Sequence, residues 1–144
     1  MKPLDEVLDA LRGHAGTAVG EGPAGPVEVE VTDVDRLGIR VSRVRVTRGA
    51  VDIAEEAADL PKRLRSLSEP VHPVEIAPAL GGARLRSVPR NARDGWYEVA
   101  VEPTETVVTR TSKRDGERVS EDWTMTRDQL DRLVRELARA ADEP

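Results

Sequence analysis

Arginines dominate the side chains able to do chemistry in this chain. Arg43 and Arg45 alternate along one extended-looking stretch, with Arg40 just before them, and Arg84 and Arg86 alternate along another. Alternation at a period of two sets side chains on one face of a strand. A planar guanidinium grips a carboxylate or phosphate through parallel hydrogen bonds. Such a stripe offers anion or acidic-peptide binding, and Trp96 and Tyr97 add rings of the kind that anchor a protein partner. A structural reading competes with it. Glu28 and Glu30 sit on the preceding alternating stretch and can neutralise Arg40 and its neighbours across a hairpin, at a few tenths to ~1 kcal/mol per pair. Two aromatics at a strand start serve equally as core or as an edge cap.

The other reactive side chains form no constellation. His72 stands in Pro-Val-His-Pro-Val-Glu with Glu75 three residues on, and in an extended segment those two point to opposite faces. His14 lies in a Gly-rich stretch and reads as solvated. Asp33, Asp35, Asp52, Glu55 and Glu56 lie in charged surroundings without the apolar walls that raise a catalytic carboxyl. Asp33-Val-Asp35 lacks the glycine and terminal glutamate of a calcium loop. Gly20-Glu-Gly22 neither follows a strand nor opens a helix, so it fails as a phosphate loop. With no cysteine, disulfides, thiolate metal sites and cysteine nucleophiles are excluded. No catalytic residue, metal ligand or cofactor is nominated.

The chain has 144 residues and a formal net charge of −5, and its pI near 5.2 opposes the counterion release on which nucleic-acid affinity depends. Residues 1–35 carry 2 basic and 8 acidic side chains, whereas residues 36–66 carry 8 and 4, so the charge is segregated. Leu, Ile and Val number 12, 3 and 19, roughly a quarter of the chain and above the ~20% expected of a disordered one. No apolar run is long enough for a membrane span or placed as a signal peptide. Nineteen Arg against three Lys, and nineteen Val against three Ile, follow GC-rich codons and suggest a bacterial cytoplasm.

An α+β fold is expected: two layers, with an antiparallel sheet of about six or seven strands, a kinked central helix and a long C-terminal amphipathic helix on one face. Residues 1–26 read as a short helix, Pro3 to Arg12, followed by a flexible Gly/Ala/Pro tether. Residues 27–144 read as one globular domain. In its first hairpin, Val31 is expected opposite Ile39, with a bulge at Ser42–Arg43 restoring the alternation. Asp52 caps a helix in which Pro61 forces a kink or a break, ended by Glu69-Pro70. Prolines 70, 73 and 78 suggest an edge strand or an irregular extended segment. Asp115-Gly116 turns a hairpin that sets Val108 opposite Trp123, Arg110 opposite Glu121 and Ser112 opposite Val119. Thr126 and Gln129 form a capping box for the last helix, with Met125 and Leu130 as its staple. Leu130, Leu133, Val134, Leu137 and Ala141 are its buried stripe, and Asp128–Arg132 and Asp131–Arg135 its surface pairs.

This order of elements resembles two architectures, that of dimeric secretion chaperones and the helix-grip fold of lipid-binding domains. No motif assigns the chain to a family. The first resemblance implies a non-enzymatic adaptor or chaperone-like domain that holds another protein or a second copy of itself. The second implies a pocket for a lipid-like small molecule, lined by sheet valines beneath Leu133 and Leu137. Polyanion or nucleic-acid binding is the third reading, and the acidic pI argues against it.

Overall fold

The computed structural model describes residues 1–89 and 95–139. The polar loop expected over Pro89–Gly95, including Arg90 and Arg93, and the buried position expected for Ala141 lie at or beyond those limits. Among the described residues are three α-helices and nine strands: α1 (Leu4–Ala10), β1 (Gly16–Glu21), β2 (Pro26–Val34), β3 (Gly38–Thr47), α2 (Ile53–Arg63), β4 (Val71–Ala77), β5 (Gly82–Ser87), β6 (Trp96–Val101), β7 (Glu105–Arg114), β8 (Glu117–Glu121), β9 (Trp123–Thr126) and α3 (Arg127–Ala138). All strand pairs are antiparallel, in the order β1-β2-β3-β7-β6-β5-β4, with β8 on β7 and β9 on β3.

The sheet exceeds the expected six or seven strands for two reasons. The tether is in part a strand, since Gly16–Glu21 pairs with Pro26–Val31 along the whole of β1. Its glycines serve close approach rather than slack: a Cβ on Gly20 would lie 2.5 Å from the Cα of Leu4, where α1 crosses β1. The last expected strand also divides in two. Arg110 faces Glu121 and Ser112 faces Val119, as the turn chemistry requires. Asp115 and Gly116 both take positive φ, 54° and 80°, as a type I′ turn demands. Beyond Asp122, however, the chain crosses to β3, so Trp123 pairs with Val41 while Val108 pairs with Val44 and Val99. Strand β3 thus pairs with β9 along its first half and with β7 along its second.

The first hairpin is tighter than expected. Val31 stands opposite Val41 rather than Ile39, and Glu30 opposite Arg43 rather than Arg40. Ser42 is the extra residue on β3, where the change in alternation placed the bulge. A second irregularity at Thr32 on β2 escaped the pattern, because Val31 and Val34 accommodate it without exposing an apolar side chain.

Helix α2 begins where Asp52 Oδ1 accepts the N–H of Glu55 at 2.9 Å. It runs through Pro61 without a break and ends at Arg63, so Leu64 and Leu67 belong to the connection to β4, six residues before the expected stop at Glu69. Proline 61 lies in the last turn, where its missing N–H costs a single hydrogen bond. Helix α3 has its reciprocal capping box: Gln129 N–H donates to Thr126 Oγ1 at 3.0 Å, and Thr126 N–H to Gln129 Oε1 at 2.9 Å. Met125 and Leu130 are both buried.

Buried residues of all three helices (Leu8, Leu60 and Leu133 among them) join one face of the sheet in a single apolar core. That face carries Val27, Val29, Val41, Val44, Val46, Val99, Val101 and Val108. The opposite face carries Glu28, Glu30, Arg43, Arg45, Glu98 and Thr109, none of which belongs to the core. No helix among the described residues is long and apolar enough to cross a membrane.

Candidate functional site

The arginine stripe lies on the outer face of the sheet, and most of it is neutralised there. Arg43 is 4.0 Å from Glu30, Arg45 is 3.5 Å from Glu105, Arg40 is 3.5 Å from Asp122 and Arg86 is 3.6 Å from Glu98. These exposed pairs contribute ~0–1 kcal/mol each, so they balance charge more than they hold the fold. Arg84, opposite Glu75 in the ladder, is the member of the stripe with no carboxylate partner among the described residues.

Register explains which of these residues meet. Arg84 and Arg86 alternate on β5, Glu98 and Ala100 on β6, Val107 and Thr109 on β7, and Arg43 follows on β3. Together with Val74 they line a groove of about 400 Å³. A second groove of about 300 Å³ continues it past Leu80, Gly82 and Glu102, and the two share Arg84 and Ala100. Arg40, on the half of β3 that pairs with β9, and Arg45 line neither.

The aromatic pair is divided by the same alternation. Trp96 faces the outer side, buried under the guanidinium of Arg86, 5.4 Å from its ring centre, and that of Arg118 at 5.8 Å. Its Nε1–H donates to Glu98 Oε1 at 2.9 Å. Tyr97 faces the helices, edge-on to Trp123 with centroids 5.7 Å apart, and under Arg110 at 4.5 Å. Trp96 and Tyr97 therefore form no common anchor.

Four relationships escaped the sequence reading. Val74, left out of the ladder by a bulge between Pro73 and Glu75, is 57% exposed at the groove rim, and Leu80 is 85% exposed at the neighbouring one. The same bulge sets His72 opposite Arg86 and Glu75 opposite Arg84. Those two side chains therefore share the outer face, which corrects the expectation that they point apart. Glu102 and Glu105 face one another across the Pro103-Thr104 turn, closed by Glu102 N–H to Glu105 C=O at 2.9 Å. A hydrogen bond that the protonated Glu102 carboxyl donates to the Glu105 carboxylate, then burial, holds Glu102 above its ordinary value. A proline one residue after Glu102 is the turn signal that carried this pairing. Finally, Glu56, which the sequence places in charged surroundings, is buried, and so is Arg48.

No group of three or more His, Cys, Asp or Glu among the described residues is placed to hold a metal ion. Leu133 and Leu137, beneath which a ligand cavity was expected, are fully enclosed in the core. Compared with family models, curated proteins and solved structures, the chain matches none.

Proposed function

We propose that this chain is a protein-binding module whose outer sheet face takes a short segment of a partner, in the grooves across β4, β5, β6 and β7. The observation that carries the reading is Arg84. Among the described residues it is the stripe arginine left without a carboxylate, it lines both grooves, and exposed Val74 and Leu80 flank it. A cation beside uncovered apolar side chains suits a segment with a carboxylate next to one or two apolar residues. Grooves of 300–400 Å³ accept a few side chains rather than a domain surface. Pro73 and the bulge at Val74 interrupt the free edge of β4, which disfavours simple strand addition. Recognition then rests on side chains.

The balanced charge elsewhere on the face supports a protein partner over a polyanion, since Arg40, Arg43, Arg45 and Arg86 already have carboxylates nearby. Selection of displayed random peptides on the immobilised chain tests the reading. Peptides pairing Asp or Glu with apolar residues are expected, and Arg84→Glu should reverse the preferred charge to Lys or Arg. An unchanged preference, or no selection at all, removes the groove from the account. Enrichment of segments of this chain's own sequence would make the partner a second copy.

A further inference from the structure

A separate cavity of about 470 Å³ opens on the helix side of the sheet, where the connection after α2, the start of β9 and the first turns of α3 meet. From its geometry we infer that it is a binding site for a small ring-bearing organic anion, independent of the outer groove. Leu67, Tyr97, Trp123 and Met125 give it one apolar and aromatic side, and the rest of its lining is polar. Its volume falls within the ~300–1,000 Å³ of small-molecule sites.

Two observations point to an anionic occupant. Arg65 and Arg132 both line the cavity, and among the described residues neither has a carboxylate partner. The i,i+4 partner that the sequence offers Arg132, Asp128, does not engage it, although Asp131 and Arg135 one residue later pair at 3.2 Å. Glu136, the acid lining the cavity, is already committed: its Oε1 accepts the N–H groups of Arg65 at 3.1 Å and Ser66 at 2.9 Å. Two guanidinium groups against this one carboxylate leave the lining with a net positive charge. Independently, the indole N–H of Trp123, a side chain 7% exposed, is buried without an acceptor among the described residues. A buried donor left unpaired is costly, and a small turn of the ring toward the cavity would let a ligand oxygen recover that cost. Tyr97 Oη, 3.3 Å from Ser68 Oγ, supplies a further hydroxyl at the same wall. The anionic head would lie between Arg65 and Arg132, with the ring against Trp123 and Tyr97.

The test uses 8-anilinonaphthalene-1-sulfonate as an anionic ring probe and N-phenyl-1-naphthylamine as its uncharged counterpart. Binding is followed by probe fluorescence and by the two tryptophan indole N–H resonances, assigned with Trp96→Phe. Saturable one-to-one binding of the sulfonate is expected, with a shift of the Trp123 resonance and none of Trp96. The uncharged probe should bind at least tenfold more weakly. Arg65→Gln and Arg132→Gln, both at exposed positions and expected to leave the thermal melt unchanged, should each weaken sulfonate binding tenfold or more. Equal affinity in those variants, a shift at Trp96 or throughout the spectrum, or no binding overturns the assignment. Titration with 1-naphthylacetate and 1-naphthyl phosphate then separates a carboxylate from a phosphate as the preferred head.

Discussion

The carboxylate of Glu56, wholly enclosed, lies 3.4 Å from Nε of Arg48, whose side chain is 1% exposed. Around this pair stand Arg63 at 2.9 Å and Arg139 at 3.5 Å. The Arg48 guanidinium also donates to the carbonyls of Glu102 at 2.8 Å, Pro103 at 3.1 Å and Glu105 at 3.3 Å. One residue of α2 and one just past β3 thereby clamp the β6–β7 turn, the same turn that places Glu102 in the groove. Burial lowers the Arg48 pKa and Glu56 opposes that shift, as expected of a desolvated cation kept charged by its partner.

Removing Glu56 leaves a buried guanidinium uncompensated. Glu56→Gln should cost about 3–5 kcal/mol of unfolding free energy, measured by urea denaturation. Asp131→Asn, which breaks an exposed helical pair of similar length, should cost no more than ~0.5 kcal/mol. Comparable losses in the two variants would show that burial does not set the difference.

Gly20→Ala should loosen the N-terminal helix. The added methyl meets the backbone of Leu4 at 2.5–2.7 Å, and overpacking of this kind costs about 1–3 kcal/mol. Faster amide exchange at Leu8, the buried residue of α1, is the expected readout. Unchanged exchange would mean that the helix yields without cost.

Acid should weaken the fold in an assignable way. The N–H groups of Gly38 and Leu37 hold the Asp35 carboxyl below its ordinary 3.8, and Ser112 and then Arg114 hold Glu121 below 4.5. A depressed carboxyl stabilises the fold above its unfolded value and loses that contribution as pH falls through the folded one. Asp35→Asn and Glu121→Gln should each flatten the decline of unfolding free energy below about pH 4.5. Glu102 has the opposite sign. Its carboxyl is raised, so its contribution falls as pH rises above 4.5, and Glu102→Gln should remove that part of the slope. A variant that keeps the parent's curve would show that its carboxyl is not shifted.

Balanced charge on the outer face sets a further expectation. Because the ion pairs of Arg40, Arg43, Arg45 and Arg86 leave few free cations there, the chain should elute from heparin at low salt. Retention that falls steeply with salt would favour a polyanion partner instead.

Much of the sheet was legible because alternation and turn chemistry are local. Asp115-Gly116 set a register that held for Arg110–Glu121 and Ser112–Val119, and Thr126 with Gln129 marked the start of the last helix. The crossing at Asp122 was not legible, since nothing near Trp123 says that Val41 offers it a better place than Val108. The glycines after residue 12 misled because close packing and flexibility draw on the same residue. Glu56 carried no local sign of burial, its arginines arriving from just past β3, from α2 and from just past α3. In the outer groove, Arg43, Arg84 and Arg86 came from pattern alone. Val74 needed a bulge, and Arg84's isolation needed the whole sheet.

The most direct test of the binding reading is a chemical-shift map of the isotope-labelled chain with the peptide selected on it. The account predicts perturbed amides at Val74, Arg84, Ala100 and Val107 on the outer face, with those of Leu8, Leu133 and Leu137 unmoved, and loss of the whole pattern in Arg84→Glu. Perturbations centred on the helix face, or a pattern that survives Arg84→Glu, would contradict it.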